Sequence, residues 1–331
     1  MRKPWPLRLG CAALLFPDPK VNPLRRVLVL LGTLLLLLTG LSACGEDSGS
    51  SSSEKDSGTV TVAGTFGAEP KVTFEGDYQR STTKATVLTE GKGEAVATGD
   101  TVVANLYIAN GFNGEQAAST WDEGGATLIG ITDSTVPGIR DAIVGQSVGS
   151  RVQVEAAPKD AFGDGGNEGI AIAPGDPVVF VVDIVSKLAD PISSKASDQK
   201  PGQPKIVQKD DQVTGFDFTG TAKKAPTTTQ AFTIIQGDGP KITKNSKLAV
   251  RYLGQVWGGK KPFDENYSKD LQPLALADTV AGWRKMLPGM RIGSRVLLYV
   301  PPADGYGAKG KGKDIKGTDT MVFVIDILGV V

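Results

Sequence analysis

The hydrophobic pattern of the chain is dominated by short runs of apolar and β-branched residues that are bounded by glycine or asparagine. Such runs are typical of strands. They lie at 100–107, 151–154, 247–253 and 295–300, and around Phe180 and Phe323. Only 138–143 and 282–286 favour a helix, and each is short. Many antiparallel strands with one short helix in each half predict an α+β fold in which the helix covers one face of a sheet.

This pattern is repeated along the chain. The clearest repeats are Gly-Gln-Ser-Val-Gly-Ser-Arg-Val at 145–152 with Gly-Met-Arg-Ile-Gly-Ser-Arg-Val at 289–296, and Val-Phe-Val-Val-Asp-Ile at 179–184 with Val-Phe-Val-Ile-Asp-Ile at 322–327. Leu106 and Tyr252 lie 146 positions apart, and Phe180 and Phe323 lie 143 apart. Because the spacing changes so little, insertions fall in surface loops rather than in core elements. We therefore expect two domains of one family, each large enough to bury its own core.

Composition separates these domains from the segments around them. A stretch rich in serine, glycine and acidic residues precedes the first copy and predicts a disordered tether. A second stretch, rich in proline, serine, lysine and aspartate, predicts a linker that lets the two domains move semi-independently. The predicted parts are a signal peptide at 1–44, a tether at 45–59, a first domain at 60–188, a linker at 189–204 and a second domain at 205–331.

The amino-terminal segment has the order of a secretory signal, with basic residues before an apolar region and small residues after it. Arg25 and Arg26 precede the apolar residues 27–38, and Leu-Ser-Ala-Cys follows at 41–44. This last motif resembles a bacterial lipobox, which implies cleavage before Cys44 and a diacylglyceryl group on its sulfur. A single transmembrane helix is the alternative, although the run is short for a span. We expect an extracytoplasmic protein that is anchored to the cell membrane by lipidated Cys44.

Composition also excludes several kinds of chemistry. The chain contains no histidine, so no imidazole can serve as a catalytic base or a metal ligand, and we expect neither a metal nor a cofactor. The formal net charge is +0, and no long basic run follows the amino-terminal segment. We therefore expect no nucleic acid partner.

The second copy carries a set of short motifs in a fixed order. They are Tyr252-Leu-Gly254, Phe263-Asp264, Val280-Ala-Gly-Trp283, Gly289-Met-Arg-Ile-Gly293, Pro301-Pro302, Tyr306-Gly307 and Val322-Phe323-Val-Ile-Asp326. In this order and spacing, residues 228–331 strongly resemble FKBP-type peptidyl-prolyl isomerases. The resemblance implies two FKBP-like domains, each a curved antiparallel sheet wrapped around one short helix, and proline-containing polypeptides as substrates.

The resemblance also implies a role for individual residues. Its catalytic set is Tyr252, Asp264, Trp283 and Tyr306, and its substrate-binding set is Phe263, Leu274, Leu276, Val280, Ile315 and Phe323. Trp283 is similar to the floor of the family's proline pocket, and Tyr306 to the tyrosine whose hydroxyl meets a substrate carbonyl. Taken singly, such residues have structural interpretations too, because a tryptophan over a sheet is usually core and Asp264 suits a turn. Leu274 and Leu276 stand where the family often has aromatic residues, so we expect weaker binding of macrolide inhibitors.

The absence of histidine is no obstacle to this reaction, because no covalent bond is made or broken. Rotation about an X-Pro amide faces a barrier of roughly 18 to 20 kcal/mol, which arises largely from resonance in the polar, planar amide. A dry aromatic slot removes the water that stabilises this planar form. The twisted amide is less polar and loses less on leaving water, so the slot favours the transition state.

The first copy departs from the second at most of these positions. Leu106, Ile139 and Phe162 stand where the second copy has Tyr252, Trp283 and Tyr306, and we expect Trp121 and Asp122 to match Phe263 and Asp264. A pocket built in this way lacks the flat floor and the hydroxyl donor. The first domain is therefore predicted to be a degenerate module that serves as a docking surface, a chaperone-like surface or a spacer.

Three functions are compatible with these features. The first is a monomeric, membrane-tethered isomerase that assists the folding of exported proteins, whose uncatalysed prolyl isomerisation takes tens to hundreds of seconds. The second is a lipoprotein that binds proline-containing segments or acts as a chaperone without turnover. The third, a solute-binding lipoprotein, normally needs two lobes with parallel sheets, and the few predicted helices argue against it. Retention of Tyr252, Asp264, Trp283 and Tyr306 together favours the isomerase.

Overall fold

The computed structural model describes residues 56–123, 125–192, 199–210 and 212–331. The predicted signal peptide, Cys44 and the predicted tether as far as residue 55 lie outside the described residues. Within the described ranges, no helix is long and apolar enough to cross a membrane. Two similar domains follow one another along the chain, and each is built on an antiparallel sheet with a single short helix.

The first domain contains nine main elements. They are β1 (Ser57–Ala63), β2 (Lys71–Gln79), β3 (Lys84–Thr89), β4 (Thr101–Asn110), β5 (Gln116–Ser119), β6 (Thr127–Gly130), the helix α1 (Pro137–Ile143), β7 (Arg151–Ala156) and β8 (Val178–Lys187). The sheet has the strand order β3-β7-β8-β4-β5, and β6 also pairs with β4. All of these pairings are antiparallel.

The second domain repeats this arrangement. Its elements are β9 (Lys205–Lys209), β10 (Gln212–Asp217), β11 (Gln230–Ile235), β12 (Lys247–Val256), β13 (Pro262–Glu265), β14 (Leu274–Ala275), the helix α2 (Ala281–Met286), β15 (Arg295–Val300) and β16 (Met321–Val330). The strand order is β11-β15-β16-β12-β13, and β14 also pairs with β12. The predicted α+β fold with one short helix in each copy is confirmed, and each helix begins one residue earlier than predicted.

The helix of the second domain lies against one face of the sheet. Successive side chains of a strand point to opposite faces, and on β16 Phe323 and Ile325 join the core beneath α2. Gly282 permits a close approach of the helix to β15, because a Cβ atom at this position would lie 2.7 Å from Cγ2 of Val300. The helix start therefore carries Trp283 directly onto the sheet.

The opposite face of each sheet is covered by a two-stranded hairpin, which the sequence patterns did not predict. In the second domain β9 and β10 pair only with one another, and their Ile206, Val213 and Phe216 pack on Val322 and Val324 of β16. In the first domain the hairpin β1–β2 covers the equivalent face. Residues 57–59, predicted as tether, therefore belong to a strand. Each domain has two apolar layers rather than one.

A buried ion pair connects the last two strands of each sheet. Arg295 Nε lies 2.6 Å from Asp326 Oδ1, and Arg151 Nε lies 2.6 Å from Asp183 Oδ1. Both guanidinium groups also bind the second carboxylate oxygen of their partner. Such a bidentate pair compensates the cost of burying two charges. The arginine of the repeated Gly-Ser-Arg segment and the aspartate of the repeated Asp-Ile segment are thus explained by a shared structural ion pair.

The predicted linker begins with residues that pack on the second domain. Leu188 is 6% exposed and forms an apolar cluster with Val103, Ala249 and Leu328. The N–H of the next residue, Ala189, donates to the carbonyl of Leu328 at 2.8 Å. The junction between the first domain and the predicted linker is therefore held in place by the burial of Leu188 and by the backbone hydrogen bond of Ala189. Residues 193–198 lie outside the described part of the chain.

Candidate active site

A cavity of about 400 Å³ opens in the second domain between the start of α2, the strands β12 and β13, and the loop after β15. Its lining combines aromatic, aliphatic and charged side chains with the backbone that precedes the helix. The lining residues are Tyr252, Phe263, Asp264, Leu274, Asp278, Thr279, Val280, Ala281, Trp283, Arg284, Gly305, Tyr306, Lys311 and Phe323. Among the described residues, no group of three or more histidine, cysteine, aspartate or glutamate side chains could hold a metal ion.

Four aromatic rings form the apolar part of this cavity. Trp283 contacts Tyr252 edge-on, with ring centroids 5.5 Å apart and an interplanar angle of 85°. It contacts Phe323 in the same way, at 5.4 Å and 88°. Phe263 meets Phe323 at 5.7 Å. These edge-on contacts fix the rings relative to one another, so the apolar surface is preformed. Trp283 is only 4% exposed, yet it lines the cavity.

The space beside these rings depends on Gly254 in β12. A Cβ atom at this position would lie 2.6 Å from Cζ of Phe263 and 2.7 Å from Cε1 of Phe323. Contacts this short do not occur in relaxed structures, so a side chain here would displace one or both rings. In the first domain the equivalent strand position is Ile108, which is 2% exposed and belongs to the core.

The polar groups of the cavity lie at its edge. The hydroxyl of Tyr252 donates to Asp264 Oδ2 at 2.7 Å, and Lys269 Nζ lies 3.7 Å from the other carboxylate oxygen. Burial, and then the hydrogen bond to the carboxylate, raise the pKa of Tyr252. This hydroxyl therefore keeps its proton throughout the neutral range. The Tyr306 hydroxyl accepts a hydrogen bond from Lys311 Nζ at 3.2 Å.

An apolar floor of fixed rings with few hydrogen-bonding groups suits a ring-shaped aliphatic ligand attached to a polar backbone. The family model described as FKBP-type peptidyl-prolyl cis-trans isomerase matches residues 92–185 and 239–328, one region in each domain. The chain belongs to this family. Both repeats are therefore FKBP domains, and the protein is an FKBP-type peptidyl-prolyl cis-trans isomerase.

Individual relatives agree with this assignment. The chain is 32% identical over 96 residues to a probable FK506-binding protein of Corynebacterium glutamicum, and the match covers 29% of this chain and 80% of the relative. It is 31% identical over 101 residues to an FK506-binding protein of Streptomyces anulatus, with 29% and 82% covered. The solved structure of a peptidyl-prolyl cis-trans isomerase of Pseudomonas syringae pv. tomato has 31% identity and a TM-score of 0.29, with 31% of this chain and 74% of that chain covered.

The cavity of the second FKBP domain brings together most of the residues predicted for it. The lining includes Tyr252, Asp264, Trp283, Tyr306, Phe263, Leu274, Val280 and Phe323. Leu276 and Ile315 were also predicted to bind substrate, but neither of them lines the cavity. Leu276 is 0% exposed and packs in the core from the 3₁₀ turn Leu276–Asp278. Ile315 is 6% exposed and also packs in the core, where its backbone forms a bridge with Lys311.

The structure adds residues that the motifs did not identify. Asp278, Thr279, Arg284 and Lys311 contribute charge and hydrogen-bonding groups to the lining. The sequence feature that could have pointed to Lys311 is a run of alternating glycine and lysine after Tyr306. That run was not informative by itself, because an alternating glycine–lysine loop is usually just a solvated surface segment.

The first FKBP domain differs from the prediction in its strand register. Ile108 of β4 pairs with Ala118, as Gly254 of β12 pairs with Asp264. Ala117 and Ala118 therefore occupy the positions of Phe263 and Asp264. The predicted match with Trp121 and Asp122 is wrong, because both follow β5. Trp121 instead lies over the buried Arg151, 6.0 Å from the guanidinium carbon to the ring centroid.

The pocket of the first FKBP domain is correspondingly reduced. A cavity of about 30 Å³ lies beside Leu106, Ile108 and Ala118. This volume is on the order of one water molecule. Isoleucine in place of glycine fills the space, and alanine in place of phenylalanine removes a wall.

Proposed function

We propose that the second FKBP domain performs the isomerisation, and that it does so on exported polypeptides at the outer face of the cytoplasmic membrane. The single observation that carries the catalytic part is the difference between the two cavities, about 400 Å³ beside Trp283 and about 30 Å³ beside Leu106. Only the first of these volumes can admit a pyrrolidine ring.

The geometry supports catalysis by desolvation and binding of the twisted amide. The proline ring packs on Trp283 between Tyr252 and Phe323, where the X-Pro bond leaves bulk water. The planar amide loses solvent stabilisation there, whereas the twisted amide, with less charge separation, loses less. The Tyr306 hydroxyl at the cavity edge is placed to bind a carbonyl of the substrate. No proton is transferred, so the pKa values of the side chains need only preserve their hydrogen bonds.

The mature protein is the material for the test, and the repeat supplies a matched control. Trp283→Ala removes the floor of the second cavity, and Ile139→Ala truncates the equivalent helix position of the first domain. In a protease-coupled assay on a short X-Pro peptide, we expect Trp283→Ala to lose at least about 90% of kcat/KM, which corresponds to about 1.4 kcal/mol or more of transition-state stabilisation. Ile139→Ala should keep the wild-type value.

Because Trp283 also belongs to the core, its truncation could reduce activity by unfolding the domain, so a second variant is needed to distinguish the two effects. Tyr306→Phe removes one hydroxyl and no packing volume, and it should lower kcat/KM by several-fold with an unchanged thermal unfolding midpoint. Equal losses in Trp283→Ala and Ile139→Ala would contradict the assignment of catalysis to the second domain. Peptide binding without any turnover in the wild type would support a binding lipoprotein instead.

The proposed location rests on the lipobox-like segment that ends at Cys44. A thioether-linked diacylglyceryl group on Cys44 would keep both domains next to the membrane. The Cys44→Ser variant is expected to appear in the culture medium or as an uncleaved precursor, whereas the wild type stays with the membrane fraction and incorporates radiolabelled palmitate. Wild-type protein recovered without lipid from the cytoplasm would refute the location without affecting the enzymatic proposal.

A further inference from the structure

We propose that the second FKBP domain prefers substrates with an acidic side chain next to the proline, and that Lys311 is the residue that sets this preference. The inference rests on the proposed catalytic site in this domain. It concerns which prolyl peptides the site selects, a property that the aromatic floor does not determine.

Lys311 is placed at the cavity by the loop after β15. Its ammonium group lies 3.2 Å from the Tyr306 hydroxyl and 4.8 Å from the centroid of the Tyr306 ring. The bridge between Lys311 and Ile315 fixes the backbone here, since Ile315 is buried in the core. The charge is thus held beside the group that is placed to bind a substrate carbonyl, within reach of a side chain next to the proline.

The ammonium group of Lys311 has no carboxylate partner in the described part of the chain. Asp264, the carboxylate of the β13 wall, is already engaged by the Tyr252 hydroxyl and Lys269. Asp278 also lines the cavity, but it precedes Thr279 on the helix side, away from Tyr306 in the chain. A carboxylate supplied by the substrate would therefore meet an uncompensated cation at the Tyr306 side.

Arg284 is a second cation in the lining. It belongs to α2, and its guanidinium donates to the carbonyl of Thr279 rather than to a carboxylate. Two cations and two carboxylates thus line the cavity, and one of the carboxylates, Asp264, is engaged by Tyr252 and Lys269. The site offers an acidic side chain attraction and a basic side chain repulsion, which is the arrangement that produces specificity by charge.

The equivalent loop of the first FKBP domain supplies an internal comparison. Residues 307–317 contain four lysines and one aspartate, whereas residues 163–173 contain one aspartate, one glutamate and no lysine. At the position of Lys311 the first domain has Asn167, which forms the corresponding backbone bridge with Ile172. The two loops share a backbone arrangement and differ in the sign of their charge, so the lysines are not required by the fold.

The size of the expected preference follows from the exposure of Lys311 to solvent. Exposed ion pairs contribute little, which corresponds to a factor of about two to five in an equilibrium or a rate. We therefore expect a Glu peptide to exceed its Gln counterpart by about threefold in kcat/KM. It should exceed its Lys counterpart by about fivefold or more.

The experiment measures kcat/KM of the mature protein for two sets of short peptides. One set carries Glu, Gln or Lys immediately before proline, and the other carries the same residues immediately after it. In at least one set, the Glu/Lys ratio should be about five or more for the wild type. It should fall to about one in Lys311→Gln, invert in Lys311→Glu, and approach one in about 1 M salt, where the screening length is about 3 Å.

Lys313→Gln is the matched control, because Lys313 is exposed in the same loop and does not line the cavity. It should retain the wild-type ratio and activity. Wild-type Glu/Lys ratios below about 1.5 in both sets, or ratios unaffected by Lys311→Gln, would overturn the inference about charge preference. The proposed function would still stand in that case, because the peptides would still be turned over. Failure of the proposed function would appear differently, as an absence of turnover for every peptide.

Discussion

The hydrogen atom that serves as the side chain of Gly254 determines whether the sheet of an FKBP domain in this chain carries a cavity. In the second domain this position leaves room for the rings of Phe263 and Phe323. In the first domain Ile108 occupies it and is buried in the core. The two domains have the same strand order, so the difference in their cavities arises from single side chains rather than from topology.

Gly254→Ala tests whether this position controls the cavity, with the addition of a single methyl group. The added methyl group would lie 2.6 Å from Phe263, so the rings must move and the proline slot narrows. We expect kcat/KM for an X-Pro peptide to fall by about tenfold or more, equivalent to about 1.4 kcal/mol. Gly215→Ala is the control, because its methyl group would meet only Oε1 of Gln255, at an ordinary contact distance of 3.4 Å. Equal activity of the two variants would contradict the role of Gly254.

A second prediction concerns tyrosine ionisation. Three tyrosines donate to carboxylates, namely Tyr78 to Glu155, Tyr252 to Asp264 and Tyr267 to Asp326. Burial, together with the neighbouring negative charge, raises the pKa of each. The stability from their protonated forms is therefore complete below the unfolded value of about 10 and is lost as pH rises towards the folded values.

The measurement is urea unfolding at pH 8 and at about pH 11, with tyrosinate absorbance followed in parallel. The midpoint should fall at the higher pH, and absorbance from these tyrosines should appear together with loss of the fold. Tyrosinate absorbance that rises fully at its ordinary pH while the domains stay folded would show that these hydroxyls are not protected.

The residues of the site could be predicted from the sequence where they belong to short motifs, and Trp283 and Tyr306 are examples. Leu276 and Ile315 could not, because a loop or a 3₁₀ turn decides which neighbour faces the cavity. Trp121 was misassigned on the similarity of a dipeptide. The spacing of 146 residues between Leu106 and Tyr252, applied to Phe263, would have indicated Ala117 instead.

At the level of elements, the hairpins β1–β2 and β9–β10 each cover the face of the sheet that lies opposite the helix. The hairpin of the second domain packs Phe216 against the face that carries Val322 and Val324, whereas the cavity lies on the face of Phe323. Because successive side chains of β16 point to opposite faces, the residues packed under the hairpin are separate from those that line the cavity. A substitution under the hairpin should therefore lower stability and leave activity unaltered.

Phe216→Ala tests this separation. Phe216 is 7% exposed, and truncation of a buried phenylalanine costs about 3 to 5 kcal/mol. We expect a loss of this size in the free energy of unfolding of the second domain, with kcat/KM at low temperature within about twofold of the wild type. Val207→Ala, on the same hairpin but 41% exposed, should change stability by less than about 0.5 kcal/mol. A large loss of activity in folded Phe216→Ala would contradict the separation of the two faces.

Three strands of each main sheet and both helices were predictable, since their apolar runs and glycine boundaries are local signals. The hairpins were not predicted, because a two-stranded ribbon buries only one face and is stable only where a larger sheet receives it. That receiving surface is formed largely by β15 and β16 for the second hairpin and by β4 and β8 for the first, and these strands follow their hairpins in the chain. Non-local packing of this kind leaves little trace in the sequence of the ribbon.

For the whole molecule, the segment after β8 determines how the two FKBP domains are connected. Leu188 fits against Gly329, where a Cβ atom would overlap its side chain. The Ala189 N–H and the Leu328 carbonyl add a hydrogen bond. The first residues of the connection are therefore part of a packed contact. We expect this contact to couple the unfolding of one domain to that of the other.

Leu188→Ala should weaken this coupling. Removal of a buried leucine costs about 2 to 5 kcal/mol where the site cannot collapse. In differential scanning calorimetry, we expect the variant to show two transitions that are further apart than in the wild type. Val185→Ala, three residues earlier and 39% exposed, is the control and should leave the thermogram unchanged. Identical thermograms for all three proteins would show that the contact does not transmit stability.

The same connection has a practical consequence for anyone who divides the gene. Nη2 of Arg295 donates to the carbonyl of Ile192 at 2.9 Å. A residue that precedes the second domain therefore supplies a hydrogen-bond acceptor to the buried guanidinium group of that domain. A fragment that starts at 205 would remove one of the two acceptors of that amino group, leaving only Asp326, and would expose Gly329 where Leu188 had packed. A fragment that starts at Leu188 retains both features and is the better choice for isolated kinetics.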